Sequence, residues 1–198
     1  MLLLALALAA ATPDCRFDRA ALLALDENAF DQDLAGGWRS LQLKGCLAEA
    51  ADLIRDYRDA APRKSRYLLF WHEGQLRAEL EQRAPAIALF RQAYRPPTED
   101  VIGWNHYVDG SIAFLSGDKP GLQAARDTLA RLPKPKDWET PKFNGKPIKI
   151  AWPFNLNVLD GFLKCFGQPY RAAYGGRCSK PLFGRKAGPP NARPSVGH

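Results

Sequence analysis

The residues best suited to metal or acid–base chemistry in this chain are two histidines with carboxylates beside them. His72 and Glu73 are adjacent, and His106 lies three residues before Asp109. Imidazole and carboxylate groups bind zinc or iron and also transfer protons. An HExxH zinc motif would need a second histidine where Leu76 stands. The four groups could form a site only if two helices bring them together, and this remains the enzymatic alternative.

The motifs of other common chemistries are missing from the sequence. There is no glycine-rich phosphate loop and no GxSxG nucleophile motif. We therefore expect a protein without catalysis, metal or cofactor. In this interpretation the histidines are packed between helices or lie on the surface.

The four cysteines are the next chemically active group: Cys15, Cys46, Cys165 and Cys178. None belongs to a CxxC pair, which argues against a zinc ribbon or a thioredoxin-type redox site. An even number in an exported chain indicates two disulfides. Of the three possible pairings we expect Cys15–Cys46 and Cys165–Cys178, each joining sequence neighbours. Four buried, reduced thiols are the alternative.

Residues 1–11, MLLLALALAAA, have the composition of an export signal. The apolar run ends in small residues, and Ala9 and Ala11 fit the small-x-small pattern before a cleavage site. The run is too short to span a bilayer. We therefore predict cleavage after Ala11, a periplasmic or secreted protein, and no membrane span after signal removal. A buried N-terminal helix is the alternative.

Positive charge is concentrated in the C-terminal third. Residues 1–132 carry 16 Lys/Arg and 18 Asp/Glu, a net charge of −2, whereas residues 133–198 carry 12 and 3, a net charge of +9. The end of the chain, 179–198, is rich in Gly, Pro and basic residues, and we predict a disordered tail. Such a tail could bind nucleic acid or an anionic surface. Nucleic acid is the less expected partner, because a solvated, mobile end is the common case.

Most of the chain before residue 134 has helical periodicity. Leu47, Ala50, Leu53, Ile54 and Tyr57 form one apolar stripe with charges opposite. Further helical segments follow, and prolines end them. No segment before residue 134 alternates with a period of two, so the sequence predicts an all-α fold.

The helices recur with a period of 36 residues. A shift of that length places Gly45 on Glu81 and then on Gly117. Ala50 likewise falls on Ala86. A repeat of this length is typical of stacked helical hairpins.

The middle repeat resembles the tetratricopeptide family. Gly74, Ala86, Phe90 and Ala93 have the spacings 12, 4 and 3 that place small residues at the helix crossing and an aromatic ring between hairpins. The outer repeats depart from the pattern. The resemblance implies a right-handed stack of about three hairpins within 12–133. A plain bundle of helices of similar length remains the alternative.

In tetratricopeptide proteins the first helix of each hairpin lines a concave groove that binds extended peptides. The resemblance therefore implies a non-enzymatic module that binds a protein or peptide partner. Carried over by repeat position, it marks seven candidate groove residues: Arg39, Trp71, Gln75, Glu79, Trp104, Tyr107 and Ser111. The alternative for the aromatic members is ordinary helix packing.

The C-terminal third is organised differently. Residues 134–153 are proline-rich and predicted to be extended, whereas 154–178 should form a capping helix and a disulfide loop. The extended segment carries large apolar side chains, including Trp138 and Trp152. We expect it to fold back across the groove, with its lysines in solvent or near Glu73 and Glu79. Packing along the outer edge is the alternative.

Overall fold

The computed structural model describes residues 13–60, 66–136, 142–143, 146–147, 151–175 and 178–179. Within these ranges the predicted all-α class is confirmed. The one departure is an antiparallel ladder of two-residue strands, Lys142–Phe143 and Lys146–Pro147. The predicted signal 1–11 lies outside the described residues, and so do 180–198 of the predicted tail.

The N-terminal part is a series of short elements leading into one long helix. Helix α1 spans Arg19–Leu23, a π-helix spans Asn28–Gln32, α2 spans Arg39–Lys44 and α3 spans Leu47–Ala60. The stretch 26–41 does not form one continuous helix. At Gly37 the backbone has a left-handed φ of 50°, and a Cβ there would lie 1.9 Å from the carbonyl oxygen of Phe30, so this position accepts only glycine.

Two helical hairpins follow. They consist of α4 (Arg66–Glu79) with α5 (Arg83–Phe90), and α6 (Trp104–Ser116) with α7 (Lys119–Ala130). A short 3-10 helix, Pro97–Glu99, joins the hairpins. Asp118 is the N-cap of α7. Its side chain accepts a hydrogen bond from the backbone N–H of Gly121 and so satisfies one of the unpaired donors of the first turn.

The 36-residue spacing of the sequence recurs in the backbone. Gly45, Glu81 and Gly117 lie 36 residues apart, and their φ angles of 88°, 57° and 74° are all left-handed. Each residue stands at the turn between two consecutive helices: α2 and α3, α4 and α5, α6 and α7. A left-handed residue at this point ends the first helix and redirects the chain. Three helix–turn–helix units therefore share the same turn.

Helix α4 lies between two apolar cores. Its Leu69 and Leu76 belong to the N-terminal core, in which Phe30 stacks on Tyr57. The opposite face belongs to the second core, and there Phe90 of α5 packs directly on Gly74. A Cβ at position 74 would lie 2.6 Å from the Phe90 ring, so the two helices cross as closely as the sequence predicted.

Helices α8 (Leu156–Lys164) and α9 (Tyr170–Tyr174) complete the second core. Phe162 of α8 stacks on Phe114 of α6 with ring centroids 4.4 Å apart, so α8 covers the last hairpin as a capping helix. Helix α9 packs against α4. Both predicted disulfides, Cys15–Cys46 and Cys165–Cys178, are present. No helix in the described ranges is long and apolar enough to cross a bilayer.

The proline-rich segment 134–153 is described only in part. At its C-terminal end the indole N–H of Trp152 donates to the carbonyl of Leu132, just beyond α7. This end therefore lies beside the last hairpin. Trp138 and the other residues at 137–141 and 148–150 lie outside the described residues, so the predicted course across the groove stays a prediction.

Candidate functional site

The four residues of the enzymatic alternative do not converge. His72 is hydrogen bonded to Asp31, with 2.7 Å between Nδ1 and Oδ1. His106 contacts Asp109 of its own helix, with a separation of 3.9 Å. No ion pair in the described part of the chain joins His72 or Asp31 to His106 or Asp109. The two histidines belong to separate clusters, which contradicts a common site.

Glu73 lies in a third environment. It is buried, forms an ion pair with Arg58 of α3 and lies 3.6 Å from Arg77. Burial raises the pKa of Glu73, and the neighbouring guanidinium groups oppose this rise. Arginines of α3 and α4 therefore contact this carboxylate. Lys149 and the side chains of Lys142 and Lys146 lie outside the described residues, so the expected approach of lysines to Glu73 stays a prediction.

The described residues contain one cluster of three metal-type ligands, Cys15, Cys46 and Glu49. Both sulfurs belong to the Cys15–Cys46 disulfide. A disulfide sulfur is not the thiolate that binds metals. This cluster therefore offers no ligand set for a cation.

Four of the seven groove candidates are aromatic or small residues inside the second core. Trp71, Trp104, Tyr107 and Ser111 are all buried. The Trp71 ring lies 4.9 Å from Trp104 and 4.7 Å from Tyr107. Burial raises the pKa of the Tyr107 hydroxyl well above its ordinary value. These residues pack helices together and do not line an open groove.

The remaining groove candidates also have partners within the protein. Gln75 is half-buried and faces Tyr170 of α9. Glu79 is half-buried on the same helix. Arg39 is buried, and its guanidinium donates to the backbone carbonyl of Asp31. The face that the resemblance assigns to a peptide is therefore covered by α9 in the middle hairpin.

Asp31, which the sequence analysis did not single out, is the centre of a buried polar cluster. Its side chain is almost completely buried. Oδ1 accepts from the indole N–H of Trp38 at 2.8 Å and from His72 at 2.7 Å. Since a carboxylate only accepts, Nδ1 of His72 carries the proton in this bond. The Arg39 guanidinium lies 3.8 Å from Oδ1 and 4.1 Å from the Trp38 ring centroid.

These contacts keep Asp31 ionised. Burial opposes the charge on the carboxylate. The hydrogen bonds from His72 and Trp38, together with the charge of Arg39, outweigh burial and hold the pKa of Asp31 below its ordinary value. The second carboxylate oxygen, Oδ2, accepts from the Gln32 amide at 2.6 Å.

Asp31 also lines a cavity of about 230 Å³ between the π-helix and α4. We call this cavity the N-terminal pocket; its lining residues are Glu27, Asn28, Asp31, Gln32, Leu68 and Leu69. Asn28 and Gln32 are exposed and mark its mouth, whereas Asp31 and Leu69 are buried. One wall therefore carries carboxylates and amides, and the other carries two leucines.

One signal for this pocket is present in the sequence. Between Arg19 and Arg39 the chain has four carboxylates, Asp26, Glu27, Asp31 and Asp33, and no lysine or arginine. A π-helix is rare and often occurs at functional sites, but its periodicity is too close to that of an α-helix to be recognised in five residues. The run of carboxylates can be found in the sequence, whereas the cavity itself can be seen only in the structure.

The chain matches no family model, no curated protein and no solved structure. The candidate site therefore rests on the geometry of this chain.

Proposed function

We propose that the protein is an exported, non-enzymatic binding module that holds a segment of a protein partner at the N-terminal pocket. One observation carries this proposal: a cavity with carboxylates and amides on one wall and leucines on the other. Drug-sized ligands occupy pockets of roughly 300–1,000 Å³. A cavity of about 230 Å³ is smaller and suits a single side chain of a larger partner.

Export is supported by the cysteines. Both disulfides are formed, and structural disulfides persist in oxidising compartments such as the periplasm and the extracellular space. The apolar residues 1–11 supply the signal that this compartment requires. N-terminal sequencing of protein recovered from its own host tests this part: we expect the chain to begin at Thr12. Folded protein that retains Met1 would contradict export.

The tetratricopeptide-like arrangement is part of the same proposal. Its support is the left-handed turn repeated at Gly45, Glu81 and Gly117, and the close crossing of Gly74 with Phe90. The binding surface differs from the one that the family resemblance implies. The middle of that surface is covered by α9, so we place the partner at the N-terminal end of the helix array.

A peptide display experiment tests the binding function. Random peptides are selected on the purified protein, and the enriched sequences are then measured against Asn28→Trp. Asn28 is exposed at the mouth of the pocket, where an indole ring would block entry. We expect Asn28→Trp to abolish binding of the selected peptides.

Ala88→Trp is the matched control, because Ala88 is exposed on α5 and does not line the pocket. It should bind the peptides as the unchanged protein does. Equal binding by both variants would show that the peptide site lies elsewhere on the molecule. Failure to enrich any peptide would reject the binding function.

A further inference from the structure

We infer that the Cys165–Cys178 disulfide is a redox switch that holds α9 over the middle of the helix array. Reduction of this bond releases α9 and uncovers the face of α4 and α6 that the family resemblance assigns to an extended peptide. The Cys15–Cys46 disulfide stays closed under the same conditions. The switch does not depend on the N-terminal pocket, so its test is separate from that of the proposed function.

The first argument is the accessibility of the two disulfides to a reductant. Cys165 and Cys178 are both half-buried, so each residue is partly at the surface. In the other bridge Cys46 is almost completely buried. Attack on Cys15 would expel the thiolate of Cys46 into the N-terminal core, where burial disfavours the charged form. Because exposed disulfides are the labile ones, Cys165–Cys178 is the bridge that a reductant opens first.

The second argument is the charge beside each disulfide. Reduction needs an attacking thiolate and produces a leaving thiolate, and a nearby negative charge opposes both. A carboxylate oxygen of Glu49 lies within 4.8 Å of the sulfurs of Cys15 and Cys46. Within the described ranges no carboxylate comes that close to both sulfurs of Cys165–Cys178. Local charge therefore also favours reduction of the second bridge.

The third argument is the connection between the disulfide and α9. Cys178 is followed by Ser179, which lies directly on α8: a Cβ at Gly161 would be 2.5 Å from the Cβ of Ser179. The Ser179 hydroxyl donates to the carbonyl of Tyr174 and lies 3.5 Å from the carbonyl oxygen of Ala173. Carbonyls in the last turn of a helix lack partners within the helix. The disulfide therefore holds in place the residue that caps α9.

The fourth argument is the weakness of α9 by itself. It has five residues, of which Tyr170 and Ala173 are buried, and isolated helices shorter than about 12–15 residues are marginal in water. The buried Tyr170 hydroxyl has no hydrogen-bond partner of good geometry in the described part of the chain, although Gln75 faces it. An unsatisfied buried hydroxyl opposes docking. We therefore expect α9 to stay in place only while the disulfide loop is closed.

The position of α9 determines what its release uncovers. Tyr170 faces Gln75 of α4, and Tyr174 contacts the hydroxyl of Tyr107 on α6. Gln75 and Tyr107 are two of the groove candidates that the family resemblance marks. In the oxidised protein α9 is therefore an internal cover on this face.

The reductant of the switch is a dithiol, the reactive group of thiol–disulfide oxidoreductases. One of its thiolates attacks a sulfur of the bridge and forms a mixed disulfide, and the other sulfur of the bridge leaves as a thiolate. The second thiol of the reductant then displaces the first sulfur. Two electrons and two protons pass to Cys165 and Cys178, which become thiols, and the reductant becomes a disulfide.

Reduction of the intact, disulfide-bonded protein with dithiothreitol tests the selectivity. Samples are quenched, alkylated and mapped by mass spectrometry. We expect Cys165–Cys178 to open about tenfold faster or more than Cys15–Cys46, which is the matched control within the same molecule. Hydrogen exchange of the selectively reduced protein should then be faster in α9 while α3 and α6 stay protected. Binding of anilinonaphthalene sulfonate, a dye that detects exposed apolar surface, should rise at the same time.

Ser179→Ala tests the connection between the bridge and the helix. It removes the capping hydroxyl and retains both cysteines, so hydrogen exchange in α9 of the oxidised protein should become about threefold faster or more. Ser116→Ala is the matched control, because Ser116 is an exposed serine at the end of α6. Its exchange in α9 should equal that of the unchanged protein.

Each outcome decides the inference. Selective opening of Cys165–Cys178 with release of α9 alone supports it. Simultaneous opening of both disulfides, or loss of protection throughout the chain, overturns it. Selective opening with α9 still protected also overturns it, because packing and not the disulfide would then hold the helix. Unchanged α9 exchange in Ser179→Ala contradicts the connection through the cap. Failure of the display experiment would remove the proposed function and leave the switch intact.

Discussion

At the scale of single residues, Asp31 determines the geometry of the N-terminal end. Its carboxylate brings together Trp38 next to α2 and His72 of α4, which are far apart in sequence. Burying a carboxylate is costly, and several hydrogen bonds must offset that cost. Replacing one such group leaves its former partners unsatisfied, so a buried cluster of this kind is more sensitive to mutation than an exposed ion pair.

We expect Asp31→Asn to lower the free energy of unfolding at pH 7 by about 2–4 kcal/mol, because it breaks a buried charged network. The pKa of Asp31 is lower in the folded state. Its stabilising contribution is therefore fully present above the ordinary carboxyl pKa and is lost as the pH falls through the folded value. Urea denaturation of the unchanged protein and of Asp31→Asn measures the difference in the free energy of unfolding. This difference should be smaller near pH 3 than at pH 7.

Asp33→Asn is the control for this prediction. Asp33 is exposed, and its Oδ1 accepts from the backbone N–H of Ala35, a bond that the asparagine oxygen can retain. We expect a change within about 0.5 kcal/mol. If Asp31→Asn is equally damaging at both pH values, the charge of Asp31 contributes nothing and its hydrogen bonds alone matter.

At the scale of helices and turns, the repeat is visible in both backbone and packing. The three left-handed turns fall at the same place in successive units, yet only two of them are glycine. Glu81 stands at the middle turn with a φ of 57°, which is unfavourable for a residue with a Cβ. The sequence therefore departs from the preferred residue at one turn without changing its conformation.

Glu81→Gly should raise the free energy of unfolding by about 0.5–1 kcal/mol. Relief of the left-handed conformation is worth roughly 1–2 kcal/mol, and the greater freedom of glycine in the unfolded chain offsets part of it. The exposed pair with Arg83 contributes little. The matched reverse change is Gly117→Ala. A Cβ there meets no atom within 4 Å, so the expected loss of about 1 kcal/mol comes from backbone strain alone.

Thermal melting of both variants measures this difference. A destabilised Glu81→Gly protein would show that the glutamate side chain contributes more than the turn conformation does.

The crossing between α4 and α5 gives a second prediction at this scale. Ala86 is fully buried, so Ala86→Leu adds three carbon atoms to a packed interior. We expect a loss of about 1–3 kcal/mol from strain. Ala88→Leu is the control, since Ala88 is exposed on the same helix and should change stability by less than about 0.5 kcal/mol. Equal, small effects in chemical denaturation would show that α5 does not pack tightly through Ala86.

At the scale of the whole molecule, α4 connects two apolar cores, and each core has one disulfide near its outer end. Cys46 is buried in the N-terminal core, and Cys165 packs against the second. The Cys15–Cys46 bridge holds the first described residues to the start of α3. The Cys165–Cys178 bridge encloses α9, the helix that covers α4.

Removal of each disulfide should therefore loosen a different end of the molecule. Cys165→Ala with Cys178→Ala should cost about 2–4 kcal/mol and speed hydrogen exchange in α9 while α3 stays protected. Cys15→Ala with Cys46→Ala should instead speed hydrogen exchange around α1 while α9 stays protected. Each double variant serves as the control for the other. Identical exchange changes in both would contradict two separately stapled ends.

The sequence by itself determined the local features of this protein. The apolar stripe of α3 follows from a 3.6-residue periodicity, the close approach of Gly74 and Phe90 follows from residue size, and the equivalence of Gly45, Glu81 and Gly117 follows from the 36-residue repeat. The disulfide partners are nearest neighbours in sequence, so their pairing could also be predicted. Each of these properties depends on residues close together in the chain or on a repeated spacing.

Only the tertiary structure decided which side chains remain accessible and which polar groups meet. Trp71 and Tyr107 were compatible with a groove or a core, and their packing against each other, Phe90 and Trp104 made them core residues. His72 and Asp31 meet across 41 sequence positions. That contact depends on the rotation of α4 about its axis and on a π-helix that places Asp31 towards it. Periodicity fixes the apolar face of a helix, but the atoms that lie opposite that face are supplied by other elements.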